Sequence, residues 1–180
     1  MERLAETIIV PAGPGDARAL AEVHVLAWRE TYPGLLPAPY LARMSAPVHA
    51  RRWRRQLSYA RAAEVVLAAE GPGGLLAYCA GALVGADGTQ QESEIFTLYL
   101  LKSAQGGGLG RRLFETTARV LQAKGGTALT VWVLNGNARA GGFYSHLGGV
   151  PVDERAVGGW GGGLKETAYR WSDITALTRA

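Results

Sequence analysis

The chain has 180 residues and a mass of 19.1 kDa, which fits one compact domain, 1–180, rather than two. At 48% hydrophobic and 19% charged it is too apolar for a disordered chain, and its single cysteine, Cys79, excludes an internal disulfide. The formal charge of +4 is concentrated at Arg51, Arg52, Arg54, Arg55 and Arg61, an excess that favours anionic partners.

Thr7-Ile8-Ile9-Val10 is β-branched and stopped by Pro11, so it reads as a short strand. Asp16 is the expected N-cap of a helix in which Leu20, Val23, Ala27 and Trp28 recur at helical spacing, and which ends near Tyr32-Pro33-Gly34. Pro33, Pro37 and Pro39 stiffen an extended loop ahead of another short helix. A helix over about 48–59 carries the arginines outward and turns Trp53 and Leu57 inward. Val65–Ala69 and Leu75–Leu83, joined by Gly71-Pro72-Gly73-Gly74, form an antiparallel hairpin. Asp87-Gly88 turns the chain into a strand from Glu94 to Leu101. A loop over 102–107 leads to a helix over 108–124, with Leu109, Leu113, Thr117/Ala118 and Leu121 on one face and Gly125-Gly126 as its cap. Ala128–Leu134 is a continuous apolar strand, expected to be buried on both faces. Asn137 caps a short helix to about Leu147, and strands near 150–157 and 164–171 flank a glycine-rich turn.

The order β-α-α-β-β-β-α-β-α-β-β is a hairpin meander feeding a βαβ unit. It predicts an α/β fold with a mixed, mostly antiparallel sheet and helices on both faces.

Several functions are disfavoured. The three histidines and Cys79 match no zinc spacing, so no metal is expected. The most apolar stretch, 75–86, has 12 residues including two glycines, short of the ~20 that a membrane span needs. Residues 1–10 carry Glu2 and Glu6 and lack the apolar core of a secretory signal. A cytoplasmic location away from membranes is therefore expected. The arginine run has no interleaved aromatic platform, so a solvated helix face is expected in place of a nucleic-acid site.

The chemistry lies in Glu94-Ile95-Phe96-Thr97-Leu98-Tyr99-Leu100 followed by Gln105-Gly106-Gly107-Gly108-Leu109-Gly110-Arg111. Glycines between a strand and a helix let backbone N–H groups approach a phosphate with no Cβ in the way. The helix dipole adds roughly half a positive charge, and Arg111 and Arg112 add formal charge. The loop is neither a Walker A loop, because no Lys-Ser/Thr pair follows, nor a dinucleotide fingerprint, because position 111 is arginine.

Gln105-x-x-Gly108-x-Gly110 after this strand resembles the acetyl-CoA motif of the GNAT superfamily of N-acetyltransferases. Asn137-Ala138-Arg139, Phe143-Tyr144 and Gly148 resemble that family's second cofactor segment, and residues 27–37 are similar to one branch of these enzymes. The sequence departs from the pattern at Lys102, where proline is frequent, and at Gly149, where an aromatic is usual.

The resemblance implies an acetyl-CoA-binding core at about 94–148 and direct acetyl transfer to a primary amine. The backbone of Leu98, Tyr99 and Leu100 would pair with the pantetheine arm as an added strand does. Gln105 and the loop N–H groups of Gly106, Gly107, Gly108, Leu109, Gly110 and Arg111 would hold the diphosphate, and Asn137 would contact the pantetheine or simply cap its helix. Glu94 is the candidate base and Leu100 N–H the candidate oxyanion donor. Tyr144 is the candidate acid for the leaving thiolate, and also a cofactor contact. Trp28 and Tyr32 would border the acceptor. Cys79 reads as a small buried hydrophobe, His24 as a hydrogen-bonded packing histidine and His146 as a surface residue. The alternative is a non-catalytic CoA- or nucleic-acid-binding module that works through the basic helix at 51–61. Monomer and homodimer both stay open.

Overall fold

A computed structural model describes residues 7–84, 92–158 and 163–178. The expected Asp87-Gly88 turn and part of the glycine-rich turn before Leu164 lie outside these residues.

Seven strands form one sheet in the order β1-β2-β3-β4-β5-β7-β6. They are β1 (Ile8–Pro11), β2 (Glu64–Gly71), β3 (Gly74–Leu83), β4 (Glu92–Leu100), β5 (Ala128–Leu134), β6 (Val150–Ala156) and β7 (Lys165–Trp171). Every neighbouring pair is antiparallel except β4 and β5, the parallel pair that the βαβ unit demands. Five helices accompany the sheet: α1 (Ala17–Thr31), α2 (Ala38–Arg43), α3 (Ala46–Ser58), α4 (Leu109–Ala123) and α5 (Ala138–His146). Three helices separate β1 from β2, one more than the order β-α-α-β-β-β-α-β-α-β-β allows, and they include the short helix expected behind the proline-stiffened loop. The additional short one, α2, starts directly behind Pro37, with Pro39 in its first turn, where a missing N–H costs nothing.

The helices divide the core by sheet face. On one face α4 buries Leu109, Leu113, Phe114, Thr117, Ala118 and Leu121 against Leu67, Cys79, Ile95, Leu129 and Val131. All but Phe114 are the stripe positions expected of α4, and each of the six is 2% exposed or less. On the other face α1 and α3 bury Leu20, Val23 and Trp53 against Tyr78 and Ala80 of β3.

Two local expectations are corrected. Asp16 precedes α1, but its carboxylate turns back to accept from Gly13 N–H at 2.7 Å instead of capping that helix. Strand β5 alternates: Leu129, Val131 and Val133 are buried in the core under α4, whereas Thr130, Trp132 and Leu134 on the opposite face are only half-buried.

The feature that makes a site is a break in the sheet. Strands β4 and β5 pair only from Glu92↔Ala128 to Ile95↔Val131, although both run on beyond that point. The register of β3 on β4 slips there, from Ala80↔Thr97 to Gly81↔Ile95, leaving Phe96 as the extra residue of a β-bulge. Gly81 permits the slip, since a Cβ there would lie 2.6 Å from the Glu94 carbonyl. Beyond the bulge β4 and β5 part, leaving the β5-facing edge of Thr97–Leu100 without a strand partner, while β7 stays paired along the far edge of β5 from Leu129↔Trp171 to Leu134↔Glu166.

Candidate active site

The splay opens into a cavity of about 480 Å³. Its walls are Leu98, Tyr99 and Leu100 of β4, Val131–Leu134 of β5, and Asn137, Ala140, Phe143 and Tyr144 of α5. Its lining also takes in Gly106, Gly108, Gly110 and Arg111 around the start of α4, and Glu30, Thr31, Tyr32 and Phe96.

The glycine-rich part of the lining follows from backbone conformation. Gly106 and Gly108 have φ values of 84° and 79°, in the left-handed region, and no atom lies within 4 Å of where a Cβ would stand. The loop is thus open above the N-terminus of α4, whose unpaired N–H groups point outward. Gln105 donates from Nε2 to the Leu100 carbonyl at 3.0 Å and ties the loop to the end of β4. Leu109 and Gly107 do not line the cavity; the Leu109 side chain belongs to the α4 core. Lys102 lines the cavity with an exposed side chain, and its N–H donates to Glu30 at 2.9 Å.

Asn137 caps α5, its Oδ1 accepting from Ala140 N–H at 3.1 Å. Its side chain also tempers the rise that burial imposes on the Tyr32 phenol at the end of α1. Tyr144 is buried on the cavity wall among Phe114, Phe143 and Trp171. Burial pushes its phenol well above the usual tyrosine range, which keeps it protonated. Gly149 is explained by Trp171: a Cβ there would lie 2.7 Å from the indole, so β7 supplies the aromatic that the neighbouring chain position lacks.

Glu94 stands on β4 level with Thr130, half-buried and outside the cavity lining. Burial raises its pKa, with the Glu166 charge adding to the rise and Arg155 opposing it. Arg155 lies 3.8 Å from the Trp132 ring centre and pairs with Glu166 at 2.6 Å. Trp28 does not line the cavity but packs edge-on against Tyr32, which does, at 4.9 Å between ring centres.

His24 accepts or donates at Nδ1 to Tyr78 Oη over 2.6 Å, the bonded histidine expected from the sequence. Cys79 is fully buried and its thiol is pushed up to about 12, while His146 is exposed. Among the described residues there is no cluster of ligating side chains for a metal, and no helix is long and apolar enough to cross a membrane.

The profile of the acetyltransferase (GNAT) family matches residues 21–148, a span that includes the splay, the glycine loop and α5. The chain belongs to the GNAT family. The uncharacterized N-acetyltransferase YuaI of Bacillus subtilis is 28% identical over 163 residues, covering 90% of this chain and 91% of that protein. Two solved structures share the fold. The PaiA N-acetyltransferase of Thermoplasma acidophilum, in complex with coenzyme A, superposes with a TM-score of 0.70 at 18% identity, over 91% of this chain and 97% of its own. The acetyltransferase YncA of Salmonella typhimurium, with its cofactor acetyl-CoA, gives 0.69 at 20% identity and 94% coverage of each chain.

Sequence reasoning missed Phe96, Trp132 and Glu30 as cavity residues. The signal available for the first was Gly81, the small residue that a bulge on the partner strand needs. For Trp132 and Glu30 no local signal existed, since their position depends on where β5 and α1 end relative to the splay.

Proposed function

We propose that this GNAT-family chain transfers the acetyl group of acetyl-CoA directly to a primary amine. The observation that carries the reading is the splay itself: an unpaired strand edge that lines one cavity together with a phosphate-suited glycine loop, Tyr32 and Phe96. The pantetheine arm would add to β4 along Leu98–Leu100 as a further strand, and the diphosphate would sit on N–H groups from Gly106 to Arg111. The acetyl group would then reach the splay beside the bulge, where the amine enters past Tyr32 and Phe96.

An alkylammonium has a pKa of ~10.4, so only about one amine in a few thousand is free at neutral pH. Attack therefore needs a proton acceptor. Glu94, half-buried beside the cavity with its pKa raised by burial, would serve as base. The developing oxyanion would meet a β4 N–H on the unpaired edge next to the bulge in place of that of Leu100, which lies at the glycine-loop end beside Gln105, and the thiolate would take its proton from Tyr144, which burial keeps protonated. Direct transfer is favoured over an acyl-enzyme because Cys79 is fully buried with its thiol near 12, leaving no thiolate to attack.

The test is thiol release from acetyl-CoA against an alanyl tripeptide amide, a lysine side-chain analogue, spermidine and kanamycin. Release that requires an amine and yields its N-acetyl product supports the reading. Acetylation of the protein by acetyl-CoA alone, chased to product by amine, would replace direct transfer with a covalent intermediate.

A further inference from the structure

On the sheet face opposite α4, the register lines up Leu134, Glu166 and Arg155 in one row across β5, β7 and β6. Trp132 and Ala168 stand in the next row, and Glu94 and Thr130 in the row beyond. Arg155 and Glu166 are direct cross-strand partners, and their ion pair at 2.6 Å is an ordinary contact for an antiparallel ribbon. The guanidinium goes further. It crosses β7 above Ala168, which offers only a methyl group, and its Cζ lies 3.8 Å from the centre of the Trp132 ring. Trp132 in turn lines the cavity. A cation on an indole face beside a carboxylate is how a protein holds an ammonium or guanidinium group. Here the chain supplies that cation from its own edge strand.

We propose that Trp132 and Glu166 form a subsite for a second cationic group of the acceptor, a subsite that Arg155 fills until the acceptor displaces it. The inference rests on the acetyl-transfer reading and names its substrate class: an amine that carries a second cation across an apolar chain. No covalent bond changes at this subsite; one cation replaces another.

The partners of this pair differ in how firmly they are held. The Glu166 side chain is 20% exposed and sits on an inner strand, whereas that of Arg155 is 51% exposed on β6, an edge strand exposed at every residue. Arg155 can therefore turn into water, where its hydration offsets the lost contact, while the indole and the carboxylate stay in place. The charges on this face fit a dication. Glu92 is held by Arg170 through hydrogen bonds of 2.7 and 2.8 Å, and Asp153 accepts from Glu154 N–H at the outer edge. Glu94 has no ion-pair partner among the described residues. With Arg155 turned out, Glu94 and Glu166 are two uncompensated carboxylates on one face. Phe96, 51% exposed, and Trp132 both line the cavity and offer apolar surface to the chain between the two cations.

The test pairs monoamines with diamines of equal chain length, butylamine with putrescine and hexylamine with hexamethylenediamine. N-acetylation of either monoamine tests the transfer reading on its own. Calorimetric titration of each amine into the CoA-bound protein reads the subsite without any chemistry. The subsite predicts a KM and Kd lower by about 3- to 30-fold for the better-fitting diamine than for its monoamine, at similar kcat. Glu166→Gln and Trp132→Leu abolish that preference, whereas Arg155→Gln enlarges it because the internal competitor is gone. Monoamine constants stay unchanged in Arg155→Gln. Lys165→Gln, which removes a cation from the same hairpin away from Trp132, leaves the preference as it is. A merely structural ion pair would give Arg155→Gln and Glu166→Gln the same effect, so their opposite signs are the signature. No diamine preference in the parent, shifts of equal sign in those two variants, or an equal gain in Lys165→Gln overturns the subsite, whatever the monoamines show about acetyl transfer.

Discussion

Gln105 holds Leu100 by a side-chain hydrogen bond to its carbonyl, so the last residue of β4 and the first of the glycine loop move as one piece. The loop conformation is thus set before any ligand arrives. Replacing Gln105 by Ala removes one hydrogen bond worth about 1 kcal/mol, which converts to a roughly fivefold weaker acetyl-CoA complex if the loop loses that preset shape. Isothermal titration measures it. An unchanged affinity would show that the loop is held by the α4 core alone.

Gly108→Ala places a Cβ on a residue at φ 79°, and Gly108→Asp adds a negative charge at the α4 N-terminus. The space around the Cβ is open, so neither clashes; the first costs about 1 kcal/mol of backbone strain. A ligand that binds only the native state stabilises by about 2.7 kcal/mol at a hundredfold excess over its dissociation constant. The thermal shift given by CoA should persist, reduced, in Gly108→Ala and vanish in Gly108→Asp. An undiminished shift in Gly108→Asp moves the diphosphate elsewhere.

Tyr144→Phe keeps the ring that packs on Phe114 and Trp171, so the melting temperature should barely change. The turnover number should fall by roughly 10²–10⁴-fold if the phenol supplies the thiolate proton. Because burial pushes the phenol upward, Tyr144 should cause no loss of rate below about pH 10, the usual tyrosine value. An unchanged turnover number, with chemistry rate-limiting, leaves Tyr144 as a packing aromatic.

Much of the fold was legible because its signals are local. The α4 stripe of Leu109, Leu113, Thr117/Ala118 and Leu121, the loop glycines and the Asn137 cap each depend on spacings of three or four residues. The cavity was legible only in part. It exists because β4 bulges at Phe96 and parts from β5 beyond Ile95↔Val131, and both depend on pairing between segments far apart in sequence. The same distance hid Trp171 behind Gly149 and placed Glu94 beside the cavity instead of in it.

Glu94 offers a pH test with a defined sign. Its folded pKa is raised, so ionisation costs stability once the unfolded carboxyl, near 4.3, has lost its proton. Glu94→Gln should therefore raise the melting temperature at pH 7, by about 1–3 °C, with the gain fading below about pH 4. If Glu94 is also the base, kcat falls in the same variant. A stabilised protein with full activity removes Glu94 from the chemistry.

Four arginines of α3, with Arg61 just beyond the Ser58 end of that helix instead of on it, allow a check on the competing module reading. Arg51, Arg52, Arg54, Arg55 and Arg61 are all exposed, and none appears in an ion pair among the described residues. Nucleic-acid binding through them should be weak and should lose roughly one unit of log K per contacted phosphate for each decade of salt. Tight binding at physiological salt, abolished by reversing Arg51, Arg52, Arg54 and Arg55, would promote that reading.

The most direct measurement follows both products in one reaction. Acetyl-CoA and the amine panel are incubated with the parent protein, free thiol is read optically and the amine fraction is analysed by mass spectrometry. Direct acetyl transfer predicts free CoA and N-acetylated amine in equal amounts, each dependent on protein, acetyl-CoA and amine together. Acetyl-CoA binding accompanied by no acetylated amine from any class, or thiol release that runs at the same rate without an amine, would contradict it.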